Sequence, residues 1–206
     1  MMRNRTAILA SLALGAAGLT GLVLAPVTAT AAAAKIAAQK ADDFTLKDQD
    51  QKTHELYKTD AKAVVLITQM NGCPIVRNIL PALNKLKADY AGKGVEFLML
   101  NSSRQDSRAD VLDEAKEWSI NFPILLDTDQ TVGKKFGVER TAEVIVMNPK
   151  TWQVIYHGPI DDRVTYERQK AKADHTWAAD AIDATLAGKT VPVAQRQTQG
   201  CLINFD

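Results

Sequence analysis

The feature that most constrains this chain is an uninterrupted aliphatic run, Ala63 to Thr68, followed closely by a long amphipathic segment. A run without polar alternation predicts a central strand that is covered on both faces, as in a parallel sheet. From Val76 to Tyr90, apolar residues recur at three- and four-residue spacing, which predicts a helix that ends before Gly92. A buried strand followed by such a helix is the beginning of a β-α-β unit.

Further patterned segments extend this unit along the chain. They predict a small hairpin over 44–56, strands over 95–100, 122–126, 143–147 and 153–157, and helices over 108–118, 131–136 and 174–186. The last two strands are joined by a tight turn and form an antiparallel pair. The sequence therefore predicts an α/β fold, with a mixed central sheet and helices on both faces.

One cysteine occupies the turn between the first buried strand and its helix. Cys73 has Gly72 before it and Pro74 after it, and proline is well tolerated in the first turn of a helix. A helix N-terminus stabilises a thiolate through its unpaired N–H groups and its dipole. Arg77, one turn further on, either adds positive charge or lies in solvent. Cys73 is therefore a candidate nucleophile, and a buried inert thiol is the alternative.

The beginning of the chain has the pattern of a secretory signal peptide. Arg3 and Arg5 precede an uncharged apolar stretch, and Ala29-Thr30-Ala31 offers the small residues of a cleavage site. We therefore expect residues 1–31 to be removed, residues 32–40 to form a flexible N-terminus, and the protein to be exported to the periplasm or cell envelope. An uncleaved anchor is the alternative, because the apolar stretch approaches the roughly 20 residues that span a bilayer.

Composition narrows the functional classes. The 206 residues, 46% of them hydrophobic, suffice for the core of one domain. The chain has 25 basic and 24 acidic residues and no long run of like charge, so we expect no nucleic-acid partner. Its two cysteines are too few for a disulfide scaffold, which directs attention to redox chemistry.

The segment Asn71-Gly72-Cys73-Pro74-Ile75-Val76-Arg77-Asn78 resembles the active-site turn of thioredoxin-like proteins, specifically the AhpC/TSA-like redoxin branch that includes the peroxiredoxins. The resemblance covers about residues 41–188 and leaves 189–206 as a C-terminal tail. It implies a thioredoxin-like fold and thiol-based oxidoreductase activity without a bound cofactor. In that family the matching cysteine is the nucleophile. The implied partners are protein or small-molecule disulfides or a peroxide, with an external thiol as a reductant.

Four residues depart from the family pattern. Val76 replaces the second cysteine of a CxxC motif, and Ile67 replaces a buried carboxylate that serves as proton acceptor in thioredoxins. Met70 stands where peroxiredoxins carry Thr or Ser, and Ala142 stands where the family has a proline that is usually cis. A cis bond before a residue other than proline costs about 2.5 to 4 kcal/mol, so we expect a trans bond and a reshaped loop there.

The second cysteine, Cys201, is the candidate resolving thiol. Attack by Cys73 on a disulfide or oxidant gives a mixed disulfide or a sulfenic acid, which Cys201 resolves. This requires the two Cα atoms to approach within about 7 Å. Gly200 permits close approach of the backbone. The apolar residues predicted to dock the tail are Leu202, Ile203 and Phe205. The alternatives are a structural disulfide and a tail thiol that is free for another molecule.

Three histidines complete the candidate chemistry. His54 and His175 are predicted on the surface, and His157 ends a strand near the tail. Thiol and imidazole together bind copper or zinc. Copper chaperones of the Sco kind, however, use a CxxxC motif, and Arg77 stands here where its second cysteine would be. We predict no metal site. The rival to an enzyme is a redoxin-fold binding or metal-handling module without turnover.

Overall fold

The structure is a computed structural model that describes residues 39–191 and 194–206. The predicted signal peptide lies outside the described residues, as does most of the predicted N-terminal segment 32–40. In the part of the chain that is described, no helix is both long and apolar enough to cross a bilayer.

The described elements follow the predicted order. The strands are β1 (Thr45–Lys47), β2 (Thr53–Glu55), β3 (Ala63–Gln69), β4 (Val95–Asn101), β5 (Ile124–Leu126), β6 (Val144–Asn148) and β7 (Gln153–Gly158). The helices are α1 (Pro74–Asp89), α2 (Arg108–Glu117), α3 (Thr131–Phe136) and α4 (Trp177–Leu186), and a short 3-10 turn spans Leu56–Lys58.

Five strands form a mixed sheet in the order β5-β4-β3-β6-β7, and β1 and β2 form a separate hairpin. β3 lies at the centre, because it pairs in parallel with β4 and antiparallel with β6. All of its residues are buried, as the unbroken aliphatic run predicted. The predicted α/β class with a mixed central sheet is confirmed.

The side chains of β3 alternate between two apolar cores, one on each face of the sheet. Val65 and Ile67 belong to the larger core, where they meet the apolar residues of α1 and α4. Val64 and Leu66 belong to the second core, which includes residues of α3 and Ile203 from the tail. Helices therefore cover both faces, and the carboxyl end of β3 leads directly into the turn before α1.

Helix α4 begins at Trp177 instead of the predicted Asp174. The carboxylate of Asp162 accepts the backbone N–H groups of Asp174, at 2.9 Å, and His175, at 3.1 Å. Because these N–H groups bind a carboxylate of the preceding loop, the first helical turn begins further along the chain, at Trp177.

The prediction that His54 lies on the surface is wrong. Its Nε2 lies 2.7 Å from the carboxylate of Asp48, and only 11% of the His54 side chain is exposed. The same carboxylate accepts the N–H groups of Asp50 and Lys52, both at 2.9 Å. Asp48 thus organises the turn of the β1-β2 hairpin and draws the imidazole inward.

Candidate functional site

Cys73 caps the amino end of α1, immediately after the turn that follows β3. Its carbonyl accepts the N–H of Arg77 at 3.1 Å, which begins the helical hydrogen bonds, and Pro74 occupies the first helical turn. Gly72 has a φ of +74°, a conformation that glycine adopts without strain. Cys73 is only 1% exposed, so its sulfur is covered by other parts of the chain.

Two carboxylates hold the turn in front of Cys73. Asp106 accepts the N–H of Asn71 at 2.7 Å, and Glu114 accepts the N–H of Gly72 at 2.5 Å. The other oxygen of Glu114 accepts a hydrogen bond from the buried amide of Gln69 at 3.0 Å. Burial raises the pKa of Glu114, although these hydrogen bonds oppose the shift. Neither carboxylate was predicted as a site residue, and both come from the segment after β4.

Residues 139–143, here called loop 139–143, lie beside the carboxyl end of β3. The peptide bond before Ala142 is trans, and Ala142 has a φ of +63°. Its N–H donates to the carbonyl of Thr68 at 2.8 Å. The Thr68 hydroxyl donates to the carbonyl of Arg140 at 2.7 Å and accepts the N–H of Glu143 at 2.9 Å. Side-chain hydrogen bonds thus hold the reshaped loop.

Loop 139–143 contributes a hydroxyl to the sulfur of Cys73. The Oγ1 of Thr141 lies 3.0 Å from the Cys73 Sγ and accepts the N–H of Cys201 at 2.9 Å. Because Oγ1 accepts from that N–H, its own proton is available to donate to the sulfur. Thr141 was not predicted as a site residue. It supplies a hydroxyl to the cysteine where Met70, the position that peroxiredoxins use, cannot.

The tail runs antiparallel to loop 139–143 and pairs with it at one bridge. The N–H of Thr141 donates to the carbonyl of Cys201 at 2.9 Å, and the N–H of Ile203 donates to the carbonyl of Glu139 at 3.0 Å. Between them, Arg140 and Leu202 face each other as an antiparallel bridge. The structure thus brings Cys201 to Cys73 through main-chain pairing.

Close packing of the tail depends on Gly200. A Cβ at this position would lie 1.9 Å from the carbonyl oxygen of Thr141. The Tyr166 hydroxyl donates to the Gly200 carbonyl at 2.6 Å and accepts the Gly200 N–H at 2.9 Å. Of the residues predicted to dock the tail, Ile203 is buried and Phe205 packs partly buried against the second core, whereas Leu202 is 60% exposed.

The two sulfurs have opposite shifts in pKa. Burial acts to raise the pKa of Cys73, but hydrogen bonds from the Cys201 thiol, the Thr141 hydroxyl and the Val76 N–H outweigh it and hold the pKa below the ordinary value. Burial and the hydrogen bond to Cys73 raise the pKa of Cys201 to about 11. When the pair loses its first proton, the negative charge therefore falls on Cys73, and the Cys201 thiol keeps its proton.

Other predicted site residues have different surroundings. The guanidinium of Arg77 lies 5.4 Å from the ring centroid of Trp118, in an exposed cation–π contact. The imidazole of His157 is paired with the carboxylate of Glu143 at 2.5 Å. Among the described residues, no group of three or more His, Cys, Asp and Glu side chains is arranged to hold a metal ion.

Curated proteins with similar sequences include thiol-disulfide oxidoreductases and a thioredoxin-like protein. The thiol-disulfide oxidoreductase ResA of Halalkalibacterium halodurans is 26% identical over 112 residues, which is 54% of this chain and 62% of that protein. The thioredoxin-like protein YneN of Bacillus subtilis is 32% identical over 89 residues, which is 43% of this chain and 52% of that protein. The chain thus spans about three fifths or less of the length of these relatives.

Solved structures show the same fold over more of the chain. A hypothetical protein of Sinorhizobium meliloti is 31% identical, with a TM-score of 0.70 over 82% of this chain and 93% of that chain. An uncharacterized protein of Geobacillus kaustophilus is 28% identical, with a TM-score of 0.72 over 81% of this chain and 90% of that chain. A putative thiol:disulfide interchange protein DsbE of Chlorobium tepidum, 16% identical with a TM-score of 0.54 over 73% of this chain and 94% of that chain, shares the fold alone.

A family model matches the part of the chain that carries Cys73, loop 139–143 and the whole central sheet. The model is that of the AhpC/TSA family, and the match extends over residues 37–163, which is more than half of the 206 residues. The resemblance inferred from the Cys73 turn is confirmed, and this chain belongs to the AhpC/TSA family.

Proposed function

We propose that this chain is an exported thiol-disulfide oxidoreductase in which Cys73 is the nucleophile and Cys201 is the resolving thiol. The observation that carries the proposal is the hydrogen-bonded group of Cys73, Thr141 and Cys201, two thiols and a hydroxyl from three separate segments. The names of the curated relatives favour a disulfide as the substrate.

The first step is attack on a substrate disulfide, and because the Cys73 sulfur is covered in this structure, the segments that cover it must move aside to admit the substrate. The Cys73 thiolate forms a bond to one substrate sulfur as the substrate S–S bond breaks, and the departing thiolate takes a proton from solvent. Thr141 and the N–H groups at the start of α1 stabilise the thiolate before attack. Since the Cys201 thiol keeps its proton in this state, Cys73 is the sulfur that attacks.

The second step releases the reduced substrate. Once Cys73 is in a mixed disulfide it carries no charge, so one cause of the raised pKa of Cys201 is removed. Cys201 then loses its proton and attacks the Cys73 sulfur, and the second substrate thiolate leaves and is protonated. The substrate gains two electrons and two protons, and the protein retains a Cys73–Cys201 disulfide that an external dithiol reduces.

The experiment compares two substrates in the exported form of the chain, with an external dithiol as electron donor. We expect the wild type to reduce insulin disulfides, and Cys73→Ser to lose this activity. Cys201→Ser keeps the attacking thiol and accumulates mixed disulfides, which mass spectrometry detects. Faster consumption of hydrogen peroxide than of disulfide would assign the same residues to peroxide reduction. An absence of turnover on both substrates with intact thiols would overturn the enzyme proposal in favour of a binding module.

Export rests on the N-terminal pattern and has its own test. Protein recovered from its natural compartment should begin near residues 30–35, as the small residues around Ala31 predict. An intact N-terminus would show that the segment is retained as an anchor.

A further inference from the structure

A buried carboxylate–imidazole pair lies beneath the tail and takes no direct part in the chemistry proposed above. Glu143 Oε2 lies 2.5 Å from His157 Nε2, and the side chains are 8% and 11% exposed. Since a carboxylate only accepts, the His157 Nε2 carries the proton of this hydrogen bond. In the described part of the chain, neither side chain hydrogen-bonds to a sulfur.

Glu143 fixes the segment on which the end of the tail rests. Its Oε1 accepts the N–H groups of Glu139 at 3.1 Å and Arg140 at 2.7 Å. The carbonyl of Glu139 in turn accepts the N–H of Ile203. One carboxylate therefore holds the first residues of loop 139–143 in the geometry that pairs with the tail around Cys201.

His157 carries the other attachment of the tail. The main-chain N–H of His157 donates to the carbonyl of Ala194 at 2.8 Å, and the main-chain carbonyl of His157 accepts the N–H of Arg196 at 3.0 Å. The tail thus pairs first with β7 at His157 and then with loop 139–143. The Glu143–His157 hydrogen bond links these two supports.

We propose that Glu143 and His157 are positioning residues that set the effective concentration of Cys201 at Cys73. The inference rests on the proposed function, because it concerns the formation of the Cys73–Cys201 disulfide. A tail held at two linked points presents its thiol in one arrangement, and such preorganisation favours an intramolecular reaction. Replacement of either partner by Gln removes the charge-assisted carboxylate–imidazole hydrogen bond and leaves at most a weaker neutral one, which loosens the supports.

The test is the redox equilibrium of the chain with glutathione. One oxidised glutathione and the two protein thiols give the Cys73–Cys201 disulfide and two reduced glutathione molecules, so electrons and protons balance. We expect Glu143→Gln and His157→Gln each to lower the equilibrium constant for disulfide formation about tenfold, a rise in reduction potential of about 30 mV. Because the residues act as a pair, the double variant should resemble the more affected single variant and not show the sum of both effects.

A matched control is available in the hairpin. Asp48 and His54 form a second carboxylate–imidazole pair at 2.7 Å, with side chains 5% and 11% exposed, that contacts neither loop 139–143 nor the tail through any hydrogen bond of the described residues. Asp48→Asn should lower thermal stability but leave the glutathione equilibrium unchanged. If Asp48→Asn changed the glutathione equilibrium constant as much as Glu143→Gln does, the Glu143–His157 pair would have only a general structural role, and the inference would be overturned.

Two further outcomes separate the inference from the proposed function. If wild type forms no Cys73–Cys201 disulfide in glutathione, the resolving role of Cys201 fails, and the inference fails with it. If wild type forms the disulfide and both folded variants form it with the wild-type constant, only the inference is overturned. Glu143→Gln retains an acceptor oxygen for the loop, and His157→Gln leaves Glu143 intact, so either variant alone suffices if the other does not fold.

Discussion

The hydroxyl of Thr141 lies 3.0 Å from the sulfur of Cys73, although the two residues are 68 positions apart along the chain. The same hydroxyl accepts the N–H of Cys201, so that one side chain joins the start of α1 to the tail. This relationship explains how a chain without a CxxC motif, with Val76 in place of the second cysteine, still assembles two thiols around a hydrogen-bond donor.

Loss of the Thr141 hydroxyl should reduce the reactivity of Cys73. Thr141→Val removes a hydrogen bond to the thiolate, and bonds to charged groups are worth about 1.5–3 kcal/mol. Since one pKa unit corresponds to about 1.4 kcal/mol, the pKa of Cys73 should rise by about one pH unit or more. The measurement is the rate of alkylation at neutral pH. Thr141→Ser, which keeps the hydroxyl, is the control, and an equal loss in both variants would contradict the assigned hydrogen bond.

The pH dependence of alkylation follows from the direction of the shift. The pKa of Cys73 is held below the ordinary value, so its alkylation should reach half-maximal rate below pH of about 8.5, the value of a free cysteine. Cys201→Ala removes the thiol that donates to Cys73 and leaves no donor in its place, so it should move the midpoint upward. A wild-type midpoint at or above that of free cysteine would remove the physical basis for Cys73 as the nucleophile.

Gly200→Ala should separate the tail from the site. The new Cβ would lie 1.9 Å from the carbonyl oxygen of Thr141, an overlap that only a shift of the backbone relieves. We expect slower formation of the Cys73–Cys201 disulfide, measured by quenched alkylation and mass mapping, with little change in overall fold. Gln197→Ala, at an exposed position of the same tail, is the control and should behave as wild type.

The two carboxylates at the Cys73 turn should stabilise it. Glu114→Ala leaves the N–H of Gly72 without its acceptor, and it leaves the amide of Gln69 with the Asn71 side chain as its remaining acceptor. The expected loss in free energy of unfolding is about 1–3 kcal/mol, measured by urea denaturation. Lys116→Ala, at an exposed position of the same helix α2, should cost much less. A stability equal to wild type in Glu114→Ala would show that solvent replaces the carboxylate.

Local patterns determined much of this protein. The aliphatic run of β3 and the apolar spacing of α1 identified the central strand, its helix and the position of Cys73 between them, because burial imposes a period that each element shows on its own. The glycine at position 200 likewise signalled close backbone approach. The predicted start of α4 and the predicted exposure of His54 were wrong. Asp162 binds backbone N–H groups before α4 and Asp48 binds the His54 imidazole, and the spacing of apolar residues carries no information about such contacts.

Tertiary structure alone decided what surrounds the sulfur. β6 pairs antiparallel with β3, and this register places loop 139–143, with Thr141, at the carboxyl end of the strand that leads to Cys73. Strand order also brings Glu143 to His157 and allows the tail to pair with both segments. Hydrogen bonds between loops depend on which strands are neighbours, and residues so far apart in sequence carry no local sign of that arrangement.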